Sequence, residues 1–190
     1  MENKVQFNLK NVHYAVLTEE VSGNNTAYSW GTPVRVPGAV SLSLDQQGEI
    51  TKFYADGIVY YQSPANNGYE GDLEVARIHD KMMQDIWGFT LGTTSKVMTE
   101  NANTEAKAFA LLFQIDGDAG EDLYVLYNCT GTRPSVAGQT KEDTKDPQTQ
   151  TSTISAAPLA DGRVMARTTG DTPSSTKTSW FTAVFEESGS

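Results

Sequence analysis

The chain has 190 residues, with fourteen Lys and Arg against twenty-four Asp and Glu, a formal net charge of -10 and one cysteine. That length suits one domain of about 100 to 200 residues, and the acid excess disfavours any role in which cations must displace counterions from a phosphate backbone. Lone Cys129 excludes an intramolecular disulfide and the usual cysteine-based zinc sites and points to a reducing compartment, while no apolar stretch reaches signal-peptide or membrane-span length, which predicts synthesis in the cytosol and no membrane partner.

Residues 1–37 combine a short apolar run, Val12 to Leu17, with the polar turn SGNNTAYSWGTP and two prolines, Pro33 and Pro37. Because proline resists helix interiors and central strands, this segment reads as an N-terminal arm and first strand. From Ala39, Val40, Leu42 and Leu44 alternate with Ser41, Ser43 and Asp45 until Gln47-Gly48 turns the chain, the pattern of a half-buried strand. TKFYADGIVYYQS then sets Asp56-Gly57 between two aromatic-rich runs, and Asp-Gly suits a type I′ turn, whose two central residues need positive φ. In GYEGDLEVARIHDKMMQDIWG the period changes: Leu73 and Val75 alternate with Asp72 and Glu74 over a strand of about 70–77, after which Met82, Met83, Ile86 and Trp87 recur as on a helix of about 79–87 ended by Gly88.

KAFALLFQI and DLYVLYNCT, the most apolar runs, predict a central hairpin across the turn DGDAGE. A polar loop, 131–147, separates them from a Thr-rich strand at TQTSTISAAPL, a shorter one at 162–169 and a closing piece, TSWFTAVFEE, with 186–190 as a tail. Eight to ten strands and one helix favour a β-sandwich or barrel over any βαβ arrangement.

No catalytic machinery is visible. His13 and His79 are the only neutral-pH bases, and His79 at the helix entrance reads as a residue solvating the first turn. The loop from Asp116 imitates a calcium loop only superficially, since glycine falls at position five rather than six and Tyr127 occupies position twelve, so a hairpin turn is expected. Cys129, ending an apolar strand, reads as core filling. Catalytic, cofactor and metal sites are therefore all expected to be absent.

The order of motifs carries more information: VQFNLKNVHYAVLTE, GTPVRVPGAVSLSLDQQGE, FYADGIVYYQ, NNGYEGDLEVARI, HDKMMQDIWG, ALLFQID, LYVLYNCTGTRPSVAGQTK and QTQTSTISAAPL. From about Lys4 to about Phe185 it resembles the major tail proteins of long-tailed, non-contractile phages of Gram-positive bacteria, departing at His79, where many relatives have proline. The resemblance implies a non-enzymatic virion protein, made in the host cytoplasm and located in the tail: a single tail-tube domain, mainly β, a β-sandwich or barrel with one short flanking α-helix and extended loops or arms. It implies stacked hexameric rings through which DNA passes without stable binding, with the tape measure protein, tail terminator and distal tail protein as further partners. Some relatives add an immunoglobulin-like domain at the C-terminus, and a chain ending at Ser190 is expected to lack it.

Within that reading Asp45, Glu49, Asp72 and Glu74 are candidates for facing the lumen. Phe53, Tyr54, Tyr60, Tyr61, Asn67 and Tyr69 are candidates for contacts between rings, because so aromatic a hairpin, with the turn-rich loop to Gly71, exceeds what a compact sandwich needs. A carbohydrate- or receptor-binding sandwich is the alternative, if Trp30, Tyr54 and Tyr61 cluster on one exposed face.

Overall fold

A computed structural model describes residues 3–22, 25–136, 138, 140 and 147–187. The strands are β1 (Gln6–Ser22), β2 (Asn25–Trp30), β3 (Val34–Arg35), β4 (Ala39–Gln47), β5 (Ile50–Ala55), β6 (Ile58–Pro64), β7 (Gly68–Val75), β8 (Thr90–Leu91), β9 (Met98–Thr99), β10 (Phe109–Gly117), β11 (Glu121–Gly131), β12 (Gln150–Ala156) and β13 (Met165–Arg167). Two helices join them, α1 (Asp80–Trp87) and α2 (Ser174–Ser179). The fold is mainly β, as expected, and built on one nine-stranded antiparallel sheet ordered β2-β1-β10-β11-β12-β7-β4, with β3 on β1 and β13 on β11.

The sheet curls until its ends approach each other, but no barrel closes. The gap is spanned covalently: β3 and Val36 bond to β1, whose Val12 carbonyl accepts from the Val36 amide, and two residues later the Gly38 carbonyl accepts from Ala76 beside β7. The concave side holds the larger core, in which Val12 and Tyr14, Leu73 and Val75, Phe109, Leu111 and Phe113, Leu126 and Ile154 pack with Met82, Ile86 and Trp87 of α1. Trp87 is fixed by its indole N–H, which donates to the Gly131 carbonyl at 2.9 Å, and Gly88, at φ 67, stops the helix in the left-handed conformation glycine tolerates.

Strand β10 is buried on both faces, which is why its sequence reads Phe-Ala-Leu-Leu-Phe without polar alternation. Ala110 and Leu112 point away from the larger core into a second one with Ala15, Leu17, Leu123, Val125 and Tyr127, roofed by Leu159, Trp180, Phe181, Val184 and Phe185. Phe109, Leu111 and Phe113 are buried in the larger core and Val125 in the second, on the opposite face.

Two expectations are corrected. The described residues include a second helix, α2, which the sequence did not announce because Ser-Ser-Thr-Lys-Thr-Ser has a single good helix former, Lys177, has no apolar stripe and buries no residue. The segment 1–37, expected as an arm and first strand, contributes β1, β2 and β3 to the main sheet, and β1 lies between β2 and β10. Asn8 and Asn11, at φ 69 and 49, place register shifts in β1 against β10, and those bulges break the alternation that would have advertised the strand. Residues 137, 139, 141–146 of the polar loop and 188–190 of the tail lie outside the described residues.

Candidate functional site: an acidic face and an aromatic arm

Alternation along β4, β7 and β12 sends one set of side chains into the larger core and the other to the opposite side of the sheet. The antiparallel registers align Ser41, Glu74 and Thr151 in one row, Ser43, Asp72 and Thr153 in the next, and Asp45, Glu70 and Ser155 in the third. These nine positions hold four carboxylates, five hydroxyls and no cation. Asp45 directly opposes Glu70, a like-charge pair that a sheet selected for stability alone would avoid.

Hydroxyl donors pair with two of these carboxylates. Ser41 Oγ donates to Glu74 Oε2 at 2.9 Å and Thr149 Oγ1 to Glu74 Oε1 at 2.6 Å, which together set the Glu74 pKa below the ordinary carboxylate value. Thr153 Oγ1 donates to Asp72 Oδ1 at 2.8 Å. Of the four sequence candidates, Asp45, Asp72 and Glu74 share this face, whereas Glu49 lies past the end of β4. Glu70 was missed, although the same alternation that exposes Asp72 and Glu74 reaches it.

The β4–β7 ladder continues beyond the sheet. Asn67 N–H donates to the Gln47 carbonyl and Ala65 N–H to that of Glu49, and the pairing then runs through β5 and β6 as a free two-stranded arm. At roughly 3.3 Å per residue, the stretch from 48 to the turn extends about 27 Å. Its tip is the Asp56-Gly57 turn, with both residues at positive φ (52 and 76) as type I′ requires. At its root a β-carbon on Gly48 would lie 2.0 Å from the Ala65 carbonyl oxygen, so the strands cross there only because that residue is glycine.

Phe53 faces Tyr61 and Tyr54 faces Val59 across the arm. Successive residues point to opposite faces, so both faces are aromatic. Phe53, Tyr54, Tyr60 and Tyr61 are 59 to 70% exposed, and Ile50, Ile58 and Val59 stand open beside them. The other two contact candidates lie elsewhere: Asn67 is exposed at the root, and Tyr69 is half-buried against the larger core.

The three aromatics of the carbohydrate-binding alternative do not cluster. Trp30 is half-buried in the second core, its indole N–H donates to the Tyr127 carbonyl at 3.0 Å, and the Arg163 guanidinium lies 5.8 Å from its ring centre, whereas Tyr54 and Tyr61 stand on the arm. His79 makes no side-chain capping bond, while His13 is half-buried with its ring stacked on Phe181 at 4.8 Å. Residues 118–120 join β10 to β11; there Asp118 accepts from the Lys4 amide, while Asp116 in β10 pairs with Lys10. Cys129 is buried, its thiol pushed up to about 12 by desolvation. Among the described residues no group of His, Cys, Asp and Glu has metal-holding geometry, and no helix is long and apolar enough to cross a membrane.

No protein-family model matches the chain, and no curated protein matches it. Among solved structures, the anti-feeding prophage cap, described as the tube-terminating cap of that particle, aligns with 90% of this chain and 97% of its own at 10% identity and a TM-score of 0.46. That likeness is too slight to fix a fold family, and the functional reading rests on the chain's own residues.

Proposed function

We propose that the protein is the tail-tube subunit of a long-tailed, non-contractile phage or prophage of Gram-positive bacteria, a non-enzymatic virion protein that polymerises as stacked hexameric rings enclosing the conduit for DNA. The observation that carries this reading is the acid-and-hydroxyl face of β4, β7 and β12. A surface with four carboxylates and no cation repels a phosphate backbone at every point, and repeated around a ring it lets DNA slide without a binding well. The Debye length at physiological salt is about 8 Å, so that repulsion acts close to the wall and leaves the centre of a wide channel open. Helix α1 packs on the opposite side of β7, which leaves the polar side free to line a lumen.

The arm supplies what the lumen face cannot, a reason for copies to associate. Net charge of -10 keeps free chains apart, and burying an aromatic arm against an adjacent ring opposes that repulsion while removing an apolar patch from water. Tape measure protein, tail terminator and distal tail protein would then bound the tube along its axis and at its ends. Negative-stain microscopy of the purified chain at rising concentration, alone and with a tail-tip initiator complex, tests the reading. Rings and hollow tubes are expected; a chain that stays monomeric under both conditions overturns it.

A further inference from the structure

Strand β7 has the arm at its start and α1 just past its end, so the two lie at opposite ends of a strand of eight residues, about 26 Å at roughly 3.3 Å per residue. The arm's tip stands clear of its own subunit, since a β-carbon on Gly57 would meet nothing within 4 Å. Asp56 at that tip is exposed, and its carboxylate has no hydrogen-bonding or ion-pairing partner among the described residues. The turn does not need the charge, because asparagine before glycine serves a type I′ turn equally well. The arm's other charges, Glu49 and Lys52, sit back toward its root.

At the other end a recess of about 280 Å³ opens between β1, β3 and α1. Val16 and Val34, half-buried against the larger core, give it an apolar side. On its polar side Asp85 Oδ2 accepts from the Tyr14 hydroxyl and from Lys81 Nζ, both at 2.8 Å, so that carboxylate and that ammonium neutralise each other. Lys107 also lines the recess, held beside the helix by the bond from its amide to the Ile86 carbonyl. Its exposed ammonium has no hydrogen-bonding or ion-pairing partner among the described residues. The recess therefore carries one uncompensated positive charge, in a chain whose formal net charge is -10.

We propose that the arm of one copy places its Asp56-Gly57 tip in the α1 recess of another, with the Asp56 carboxylate on the Lys107 ammonium and exposed Ile58 against Val16 and Val34. The contact rests on the tube reading, in which the arm crosses from one ring to the next. Every copy carries both halves at opposite ends, which makes the contact head-to-tail and lets it repeat along an axis. An exposed ion pair contributes little affinity. Asp56 and Lys107 thus fix where the arm lands, while its aromatic faces supply the association.

Lys107→Glu sets a carboxylate against Asp56 and should raise the concentration needed for polymerisation about tenfold or more. Adding Asp56→Asn, which keeps the turn, should recover most of that loss, whereas adding Glu49→Gln, which removes the same charge at the arm's root, should recover little. Melting temperatures should match wild type, because neither Asp56 nor Lys107 is paired within the subunit. As a second readout, chains carrying Ile58→Cys and Thr32→Cys, one at the tip and one lining the recess, are mixed and mildly oxidised. A mixed disulfide dimer that neither gives by itself is expected, with Cys129 silent because it is buried. If wild type forms tubes but no mixed disulfide appears, or Asp56→Asn rescues Lys107→Glu no better than Glu49→Gln does, this contact is refuted and the tube stands. A mixed disulfide without tubes upholds the contact and removes the tube; neither tubes nor disulfide removes both.

Discussion

Replacing Tyr60 and Tyr61 by serine probes the arm where it is most open, since the two rings leave 70% and 63% of their surfaces in water. With roughly 200 Å² per tyrosine, the pair exposes about 270 Å². Exchange for serine removes about 200 Å² of that, worth about 5 kcal/mol at 25 cal/mol/Å² if the arm is wholly buried in the tube, and about 2.5 kcal/mol if half is buried. The smaller figure already weakens subunit association roughly 60-fold. The same change should alter folding by less than about 0.5 kcal/mol, because neither ring touches a core. Sedimentation of polymer across a concentration series reads the first quantity, and thermal melting of the monomer reads the second. Hydrogen exchange adds a spatial check: residues 51–71 should gain protection in tubes relative to monomers. A double variant that polymerises at the wild-type concentration, or equal protection in both states, would refute the assignment of the arm to ring contacts.

Phe113, 4% exposed and stacked on Tyr124 at 5.0 Å, should cost about 3 to 4 kcal/mol of stability as Phe113→Ala by urea unfolding; a loss below about 1 kcal/mol would mean the site collapses freely. Trp87→Phe keeps most of the ring but leaves the Gly131 carbonyl unpaired, so about 1 to 3 kcal/mol should be lost, and an unchanged midpoint would deny that bond its role. Burial holds the His13 pKa below its ordinary value of about 6.5. The unfolded chain therefore takes up that proton first, and stability present above pH 6.5 should decline as pH falls from there toward the lower folded value. His13→Gln should flatten this part of the melting profile between pH 7 and 5; an identical decline in the variant would assign it to other groups.

Much of the architecture was legible because short-range patterns and long-range packing agreed. The Asp56-Gly57 turn, the change of period at Arg77 and the doubly buried apolar run at Phe109 are local signatures with single structural meanings, and each appears where the sequence placed it. Strand β1 was obscured because its two left-handed asparagines break the alternation on which the reading depends. Helix α2 was hidden for a different reason: its boundaries are set by neighbours such as Trp180 rather than by its own Ser/Thr-rich composition. Of the candidate site, the acidic rows followed from alternation alone. The bond from Thr149 to Glu74 could not, because only the β7–β12 register brings the two together.

The second core also sets an order of events during synthesis. Its floor comes from β1, β10 and β11, but its roof comes from Leu159 and the residues between Trp180 and Phe185. A ribosome that has released everything up to β11 has therefore made a sheet with Ala110, Leu112, Val125 and Tyr127 bare on one side, and the part of the cover from Trp180 onward follows β11 only after about fifty further residues. Strand β1 meanwhile waits for β10, encoded about ninety residues later, before it gains that neighbour. Nascent chains should thus stay sticky from the emergence of β11 until the segment from Trp180 to Phe185 docks, which makes that docking the step that separates productive folding from aggregation.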